Sequence, residues 1–284
     1  MKLAVEPQIE TLLERANEVA TLPAIYMEVN SAVEDPESSF AEIGRLIAKD
    51  PSLSGRLLKI VNSPFYGFAN KVETIPHAIA VIGTSQLRDL VLATTVMDKF
   101  QGISRKWLDM RSFWMHSIAC GLSARIIAIF GKQSNSERFY TLGMLHDLGR
   151  LVMLIGFPDK MEEIIVRGKE GERRLLDLEQ EIFGFHHAEV GYALLKQWRL
   201  SQSFQTAVLN SHEPSQDKSD SLDSAVLHLA DVIVHAVEMG NSGDKFVPPL
   251  DSSAWQRLSL TPSMLPQIIC QLDRQMEELA PMVL

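Results

Sequence analysis

The sequence predicts an all-α protein. Apolar residues recur at three- and four-residue steps through most of the 284-residue chain, which gathers them on one face of each helix. Period-two alternation rich in β-branched residues, which marks strands, is essentially absent. Helix-capping residues stand where several apolar runs begin. We therefore expect a multi-helix bundle preceded by an N-terminal helical subdomain.

The first elements are predicted from apolar spacing and from capping signals. One amphipathic run lies on each side of Pro23. Ser39 and Glu42 form an S-x-x-E capping box that opens the next helix. Asp50 followed by Pro51 gives an N-cap and a proline in the first turn, where its missing N–H costs nothing. Beyond a loop over 62–72, helices are expected over 77–82 and 84–100.

The second half of the chain is predicted to be helical as well. Residues 101–104 are the expected boundary between an N-terminal half (1–103) and a half that carries the site (104–284). A polar segment marked by Gly and Pro, 240–249, reads as a loop. The helices are expected over 110–130, 136–155, 159–167, 173–183, 187–198, 202–212, 222–239 and 262–279.

Composition excludes several classes of protein. The apolar fraction of 46% provides for a substantial core. A net charge of −9 argues against non-specific binding to DNA or RNA, which requires Lys and Arg to neutralise phosphates. The acidic residues near the start, and the lack of any uncharged apolar run of about eighteen residues, predict no signal peptide and no membrane span. A cytoplasmic location is expected, with Cys120 and Cys270 as small buried hydrophobes.

A set of metal-ligand side chains lies on or beside separate apolar helical segments. Burying an imidazole beside a carboxylate is costly unless partners or a metal satisfy both. Gly143 and Gly149 flank the adjacent His-Asp pair, which indicates that something approaches the backbone closely there. A packed bundle brings such residues together, which predicts a divalent-metal site. The candidate ligands are His116, His146, Asp147, His187, His212 and Asp231.

Three further residues are predicted to assist this site. His228 and His235 lie at i−3 and i+4 from Asp231, so they would orient or charge-pair with that carboxylate. Arg150 lies one turn past His146 and would stabilise developing phosphoryl charge if it points into the cavity. Arg150 is therefore the candidate catalytic residue.

The order His116 … His146-Asp147 … Asp231 resembles the H…HD…D signature of the HD superfamily of metal-dependent phosphohydrolases. The resemblance implies that these four residues are the core metal ligands. It also implies that His187 and His212 correspond to histidines that support a second metal in the HD-GYP branch. A mixed His/Asp set suits Fe or Mn better than Mg or Zn.

Several segments of the first half narrow the resemblance to the HDOD domain. They are LPAIYMEVNSAVEDP from Leu22, AKDPSLSGRLLKIVNSPFYG from Ala48 and TIPHAIAVIG from Thr74. With GMLHDLGRL and HHAEVGYALLKQW, the likeness runs from about Leu22 to Asp231. HDOD domains are regarded as HD-derived output modules of bacterial signalling that are often non-catalytic. Resemblance to this family implies regulation at least as much as hydrolysis.

Two departures argue against cleavage of cyclic-di-GMP. The HD-GYP branch carries a double histidine and a GYP signature, whereas this chain has Ser211-His212-Glu213-Pro214 and neither feature. The lysine of the HDxGK motif is Arg150 here. Two hypotheses stay open: a signalling module that binds a protein partner or a small phosphorylated ligand, and a phosphohydrolase in which the metal activates water. No nucleic-acid or membrane partner is expected.

Overall fold

The computed structural model describes residues 2–100, 103, 108–171, 173–219 and 221–283, with side chains described between Glu6 and Pro281. Within these ranges there are helices and connecting segments and no β-strand, so the predicted all-α class is confirmed. The helices of the first half are α1 (Lys2–Arg15), α2 (Asn17–Ala20), α3 (Ala24–Glu34), α4 (Phe40–Ala48), α5 (Pro51–Val61), α6 (Ile75–Ile82) and α7 (Thr84–Lys99).

The second half begins with a long central helix. Short 3-10 turns precede α15 and α17, at Pro214–Gln216 and Pro262–Met264. The helices are α8 (Met110–Phe130), α9 (Arg138–Leu145), α10 (Leu148–Gly156), α11 (Pro158–Glu170), α12 (Leu175–Phe183), α13 (His187–Gln197), α14 (Gln202–Leu209), α15 (Asp223–Ala236), α16 (Ser252–Arg257) and α17 (Leu265–Val283).

The predicted helix starts at residues 39 and 50 form as expected. Ser39 Oγ accepts from the Glu42 backbone N–H at 3.2 Å, and Glu42 Oε2 accepts from the Ser39 backbone N–H at 2.7 Å. These two bonds close the capping box of α4. Asp50 Oδ1 accepts from the Leu53 backbone N–H at 2.9 Å, which caps α5 ahead of Pro51.

Helix α8 lies at the centre of the second half, where it packs against α9, α15 and α17. Its crossing with α9 is close because each helix carries a glycine at the contact. A Cβ on Gly143 would lie 2.4 Å from the backbone nitrogen of Gly121. A Cβ on Gly121 would lie 2.6 Å from the carbonyl oxygen of Tyr140. The close backbone approach expected at Gly143 is therefore that of helix α8.

A second close crossing joins α10 to the start of α13. A Cβ on Gly149 would lie 2.0 Å from the carbonyl oxygen of His187 and 2.6 Å from the nitrogen of Gly191. No side chain fits that gap, so glycine at 149 lets the N-terminus of α13 lie against α10. The two glycine crossings bring α8, α9, α10 and α13 together around one volume.

The helix expected over 136–155 is broken, and this corrects the sequence prediction. His146 and Asp147 form the turn between α9 and α10. Asp147 has φ −97° and ψ 6°, which departs from helical geometry and redirects the chain. In an unbroken helix two adjacent side chains would point about 100° apart. The turn therefore allows the imidazole and the carboxylate to face the same space.

One hydrophobic core joins the two predicted halves. Helix α7 packs against α9, α1 packs against α10 and α13, and α17 packs against both α5 and α8. Ile103, the one described residue of the predicted boundary at 101–104, packs against this core; residues 101, 102 and 104 lie outside the described part. The division into 1–103 and 104–284 stays a prediction.

Helix α8 is long and apolar enough to cross a bilayer by length and composition. However, 83% of its apolar window is buried inside the protein, as befits a central core helix. Helices α6 and α7 pass the same test only when taken together across a bend of 119°. No membrane-spanning segment was expected from the sequence, and among the described residues α8 is the single helix that meets the criterion alone.

Candidate metal centre

Four of the six predicted ligands meet between α8 and α15. His116 Nε2 lies 3.2 Å from Asp231 Oδ1. His146 Nε2 lies 3.7 Å from the same oxygen and 3.4 Å from Asp147 Oδ2. Asp147 Oδ2 in turn lies 3.9 Å from His116 Nε2. None of these side chains is more than 6% exposed, so the convergence occurs in the protein interior.

Cys120 belongs to the same cluster, and sequence reasoning missed it. Its Sγ lies 3.4 Å from His116 Nε2 and 3.8 Å from Asp231 Oδ1. We call His116, Cys120, His146 and Asp231 the α8 group; one donor atom from each lies within 4.8 Å of the other three. The i, i+4 spacing of His116 and Cys120 on one helix was the signal available in the sequence. Cys270, expected to be buried, is exposed.

The other two predicted ligands, His187 and His212, lie on the far side of Asp147. His187 Nε2 is 3.3 Å from Asp147 Oδ1. His212 Nε2 is 2.8 Å from His187 Nε2. Asp147 thus presents one carboxylate oxygen to the α8 group and the other to His187. All six predicted residues converge on one buried region.

Glu179 on α12 is a second residue that the sequence analysis missed. Its Oε2 accepts from His187 Nδ1 at 2.6 Å and from the His187 backbone N–H at 2.9 Å. This fixes the imidazole with its Nε2 turned towards Asp147 and His212. Glu179 is fully buried on the apolar face that also carries Leu175 and Phe183. Glu179 is spaced four residues from each of these apolar side chains, and an acid at a position predicted to be buried was the signal for it in the sequence.

Arg150 lies between these acids, and its guanidinium is only 4% exposed. Nε donates to Glu179 Oε1 at 3.3 Å, and Nη1 lies 3.5 Å from Asp147 Oδ2. Nη1 also donates to the carbonyl oxygen and the hydroxyl of Ser242, at 2.9 and 2.8 Å. We call Arg150, Glu179, His187 and His212 the arginine group. The predicted catalytic role of Arg150 stays a prediction.

The two histidines predicted to assist Asp231 behave differently. His235 Nδ1 lies 3.0 Å from Asp231 Oδ1, so it orients this carboxylate as expected. His228 turns away: its Nδ1 bonds the carbonyl oxygen of Ser211 at 2.8 Å, and its Nε2 accepts from the Asp251 backbone N–H at 2.9 Å. His228 therefore fixes the segment after α14 and not the acid.

The field of the cluster favours cations. Burial would raise the pKa of Asp147, but His146, Arg150 and His187 together hold it well below its ordinary range. Burial would likewise lower the pKa of His146, yet the carboxylates of Asp147 and Asp231 raise it to about 9. The α8 group contains no lysine or arginine. A bound cation there would neutralise the same carboxylates that raise the pKa of His146.

His146 also provides a direct test of whether a metal fits. Its Nδ1 donates to the Gly143 carbonyl oxygen at 2.7 Å, which leaves Nε2 as the atom directed into the α8 group. Nε2 is buried and has no hydrogen-bond partner among the described residues. A buried nitrogen without a partner costs roughly 1–3 kcal/mol. The donor set and this nitrogen both fit a divalent metal ion.

A segment after α15 covers the cluster. Gly240 has φ +76°, and a Cβ there would lie 2.3 Å from the His116 backbone nitrogen. The Asn241 N–H donates to the Ser112 carbonyl oxygen at 3.0 Å, and Ser242 contacts Arg150. The cavity that remains beside the cluster measures only ≈ 20 Å³. It holds about one water molecule.

Comparison with known proteins identifies the family. Residues 19–214, more than half of the chain, match the HDOD domain. The chain belongs to the HDOD family. The resemblance found in the sequence and the all-α fold expected from it are confirmed.

Solved structures confirm the HDOD fold over nearly the whole chain. An HDOD domain protein of unknown function from Geobacter sulfurreducens has a TM-score of 0.76 at 23% identity, covering 98% of each chain. A suggested phosphohydrolase from Shewanella amazonensis SB2B also has a TM-score of 0.76, at 22% identity, and covers 96% of this chain and 98% of its own.

A sequence relative is an uncharacterized protein of Treponema pallidum (strain Nichols), which is 28% identical over 201 residues. The aligned region covers 68% of this chain but 37% of the relative, so the match spans well under half of the relative's length.

Proposed function

We propose that this HDOD protein is a signal-transduction module whose buried His/Asp centre holds a metal ion without turning over a phosphoester. The observation that carries the proposal is the enclosure of the centre. Ligand pockets for drug-sized molecules measure about 300–1,000 Å³, whereas the cavity beside Asp147 and Asp231 measures ≈ 20 Å³. A nucleotide cannot reach these carboxylates while the segment after α15 covers them.

A much larger groove lies elsewhere on the described surface. It has a volume of ≈ 610 Å³ and runs between α1 and α13, lined by residues such as Ile9 and Tyr192. No member of the α8 group or of the arginine group lines it. A substrate bound in this groove would not contact the metal ligands, which further favours a non-catalytic centre.

His116, His146, Asp147 and Asp231 would hold the ion, as the family resemblance implies. When bound, the ion supplies the positive charge that the two carboxylates lack, and it can polarise a ligand oxygen. The imidazole and carboxylate donors by themselves suit Fe or Mn. They supply both nitrogen and oxygen, whereas Mg prefers oxygen alone.

The arginine group argues for one ion and not two. A second ion would require nitrogen or oxygen donors at about 2.0–2.2 Å. The Arg150 guanidinium already lies 3.1 Å from His187 Nδ1 and 3.3 Å from Glu179. It supplies the charge that a second ion would bring, and an ion among these atoms would have to displace it.

The proposed partner is a cytoplasmic protein whose binding depends on the conformation of the helical bundle. The net charge of −9 and the enclosed centre support this over a nucleic acid or a phosphorylated ligand. The alternative, a phosphohydrolase, is favoured by the convergence of all six predicted ligand residues. It requires the segment after α15 to move away from the cluster.

Metal analysis and turnover assays separate the two functions. Protein purified without chelator is expected to carry near-stoichiometric metal and to hydrolyse neither generic phosphoesters nor nucleotides. Asp231→Ala should lose the metal, and Asp273→Ala, at an exposed position of α17, should keep it. Turnover that disappears in Asp231→Ala and persists in Asp273→Ala would establish the hydrolase instead.

A further inference from the structure

We propose that Cys120 is a direct ligand of the ion and that the ion is zinc. The inference rests on the metal centre proposed above and changes its chemistry: the donors become two imidazoles, one carboxylate and one thiolate. Sequence reasoning expected Cys120 to be an inert hydrophobe and the metal to be Fe or Mn.

Four of the six separations between donor atoms of the α8 group are close to those around a tetrahedral zinc ion, and the other two are within 4.8 Å. With zinc–nitrogen and zinc–sulfur bonds of about 2.0–2.1 and 2.3 Å, tetrahedral ligand atoms lie roughly 3.3–3.6 Å apart. Cys120 Sγ lies 3.4 Å from His116 Nε2 and 3.8 Å from Asp231 Oδ1. The distance from His116 Nε2 to Asp231 Oδ1 is 3.2 Å. These separations bracket the tetrahedral values.

His146 completes the set independently of the cysteine. Its Nε2 lies 3.7 Å from Asp231 Oδ1, close to the tetrahedral spacing, and no described residue forms a hydrogen bond with it. Because Nδ1 donates to Gly143, a neutral ring carries its lone pair on Nε2, the form that binds a metal. The nitrogen and the thiol of Cys120 thus approach the same region, one from the turn between α9 and α10 and the other from α8.

Helix geometry explains how the thiol reaches this point. His116 and Cys120 lie one turn apart on α8, and both side chains face Asp231 on α15. A thiol that only fills space needs apolar neighbours, yet this one is fully buried against an imidazole and a carboxylate. Metal binding would release the thiol proton and give the sulfur a cation as its partner.

The thiolate changes which metal fits. Soft sulfur ligands select zinc over Mn or Mg, and four protein ligands around zinc mark a closed structural site. Asp147 is then left to link the two groups, since Arg150 and His187 already contact its oxygens. A closed site with two nitrogens, one oxygen and one sulfur holds no open position for substrate, in agreement with the proposed non-catalytic role.

Cobalt substitution tests the sulfur ligand without any activity assay. Apo-protein loaded with Co²⁺ is expected to show a near-ultraviolet thiolate-to-cobalt charge-transfer band in the wild type and in Cys270→Ser. Cys120→Ser should still bind Co²⁺, through its remaining donors, but without that band. Cys270 is the matched control because it is exposed and is the other cysteine of the chain.

Zinc affinity and X-ray absorption complete the test. Cys120→Ser should bind zinc more weakly by more than the 10–100-fold typical of losing a residue that only orients a ligand. X-ray absorption of the wild-type zinc protein needs no variant, and it should show sulfur at about 2.3 Å. Bound metal without sulfur would overturn the role of Cys120 and leave the metal centre standing. Failure of the wild type to bind zinc or cobalt would overturn both.

Discussion

The α8 group and the arginine group use the same kinds of side chain but obtain their positive charge differently. In the arginine group, Arg150 neutralises Glu179 and contacts His187, so each of these side chains has a protein partner. In the α8 group, Asp231 faces imidazoles and a thiol, and His146 Nε2 has no hydrogen-bond partner among the described residues. The first arrangement is complete within the protein, whereas the second leaves a donor atom that the proposed metal ion would bind.

The largest expected effect comes from removing the internal cation. Arg150→Met leaves Asp147 and Glu179 buried without their guanidinium, which should cost about 3–5 kcal/mol of the free energy of unfolding. Urea unfolding followed by circular dichroism measures this loss. Arg45→Met is the control, because its side chain is 74% exposed, and it should leave the midpoint unchanged. A loss for Arg150→Met as small as that of the control would refute the contrast between the groups.

Metal removal should produce the next largest effect, and only through the α8 group. At a free metal concentration of 100 times Kd, the ion contributes about 2.7 kcal/mol to stability. A chelator should therefore lower the thermal midpoint of the wild type and leave that of His116→Ala unaltered. Differential scanning calorimetry with and without chelator measures both. An unchanged wild-type midpoint, with complete metal removal verified, would show that the α8 group needs no ion.

The helix crossings that build both groups can be tested with alanine. Gly149→Ala and Gly143→Ala should each cost about 1–3 kcal/mol, because the added methyl group meets backbone atoms that cannot move aside. Gly55→Ala in α5 is the control, since a Cβ there meets nothing within 4 Å. It should stabilise by about 0.5–1 kcal/mol through better helix propensity. Unfolding midpoints that rise in all three variants would contradict the crossings.

The smallest effect is expected at a residue that orients a ligand. His235→Ala removes the imidazole 3.0 Å from Asp231 Oδ1 and should weaken metal affinity by about 10–100-fold. His228→Ala removes a more deeply buried imidazole that bonds Ser211 and the Asp251 backbone, so it should leave the affinity unchanged. Competition with a chromophoric chelator measures both constants. Equal losses in the two variants would remove the orienting role from His235.

Features that depend on near neighbours in the chain could be predicted from the sequence. Ser39 and Asp50 accept hydrogen bonds from backbone N–H groups three residues further on, so the sequence alone predicts that they cap helices. The convergence of the predicted ligands was reached through the order of His116, His146-Asp147 and Asp231. Their spacing along the chain does not by itself determine how the helices pack.

Features that depend on tertiary packing could not be predicted in this way. The apolar pattern is the same before and after His146-Asp147. Periodicity therefore predicted one helix where the structure has two, joined by a turn at these residues. A buried cysteine such as Cys120 usually only packs in the core, and an acid such as Glu179 usually lies at the surface. Their importance arises only because α8 meets α15, and because α12 brings its acid to the start of α13.

The segment after α15 gives the buried centre a mechanical connection to the protein surface. Asn241 is bonded to the turn of α8 that precedes His116, and the next residue, Ser242, holds Arg150. A few residues further on, Val247 and Leu250 are about half exposed to solvent. Binding at the surface that displaces this segment must break these interior hydrogen bonds. Each buried polar group left without its bond costs roughly 1–3 kcal/mol. A displacement of this short segment at the protein surface would thus be transmitted to the buried centre.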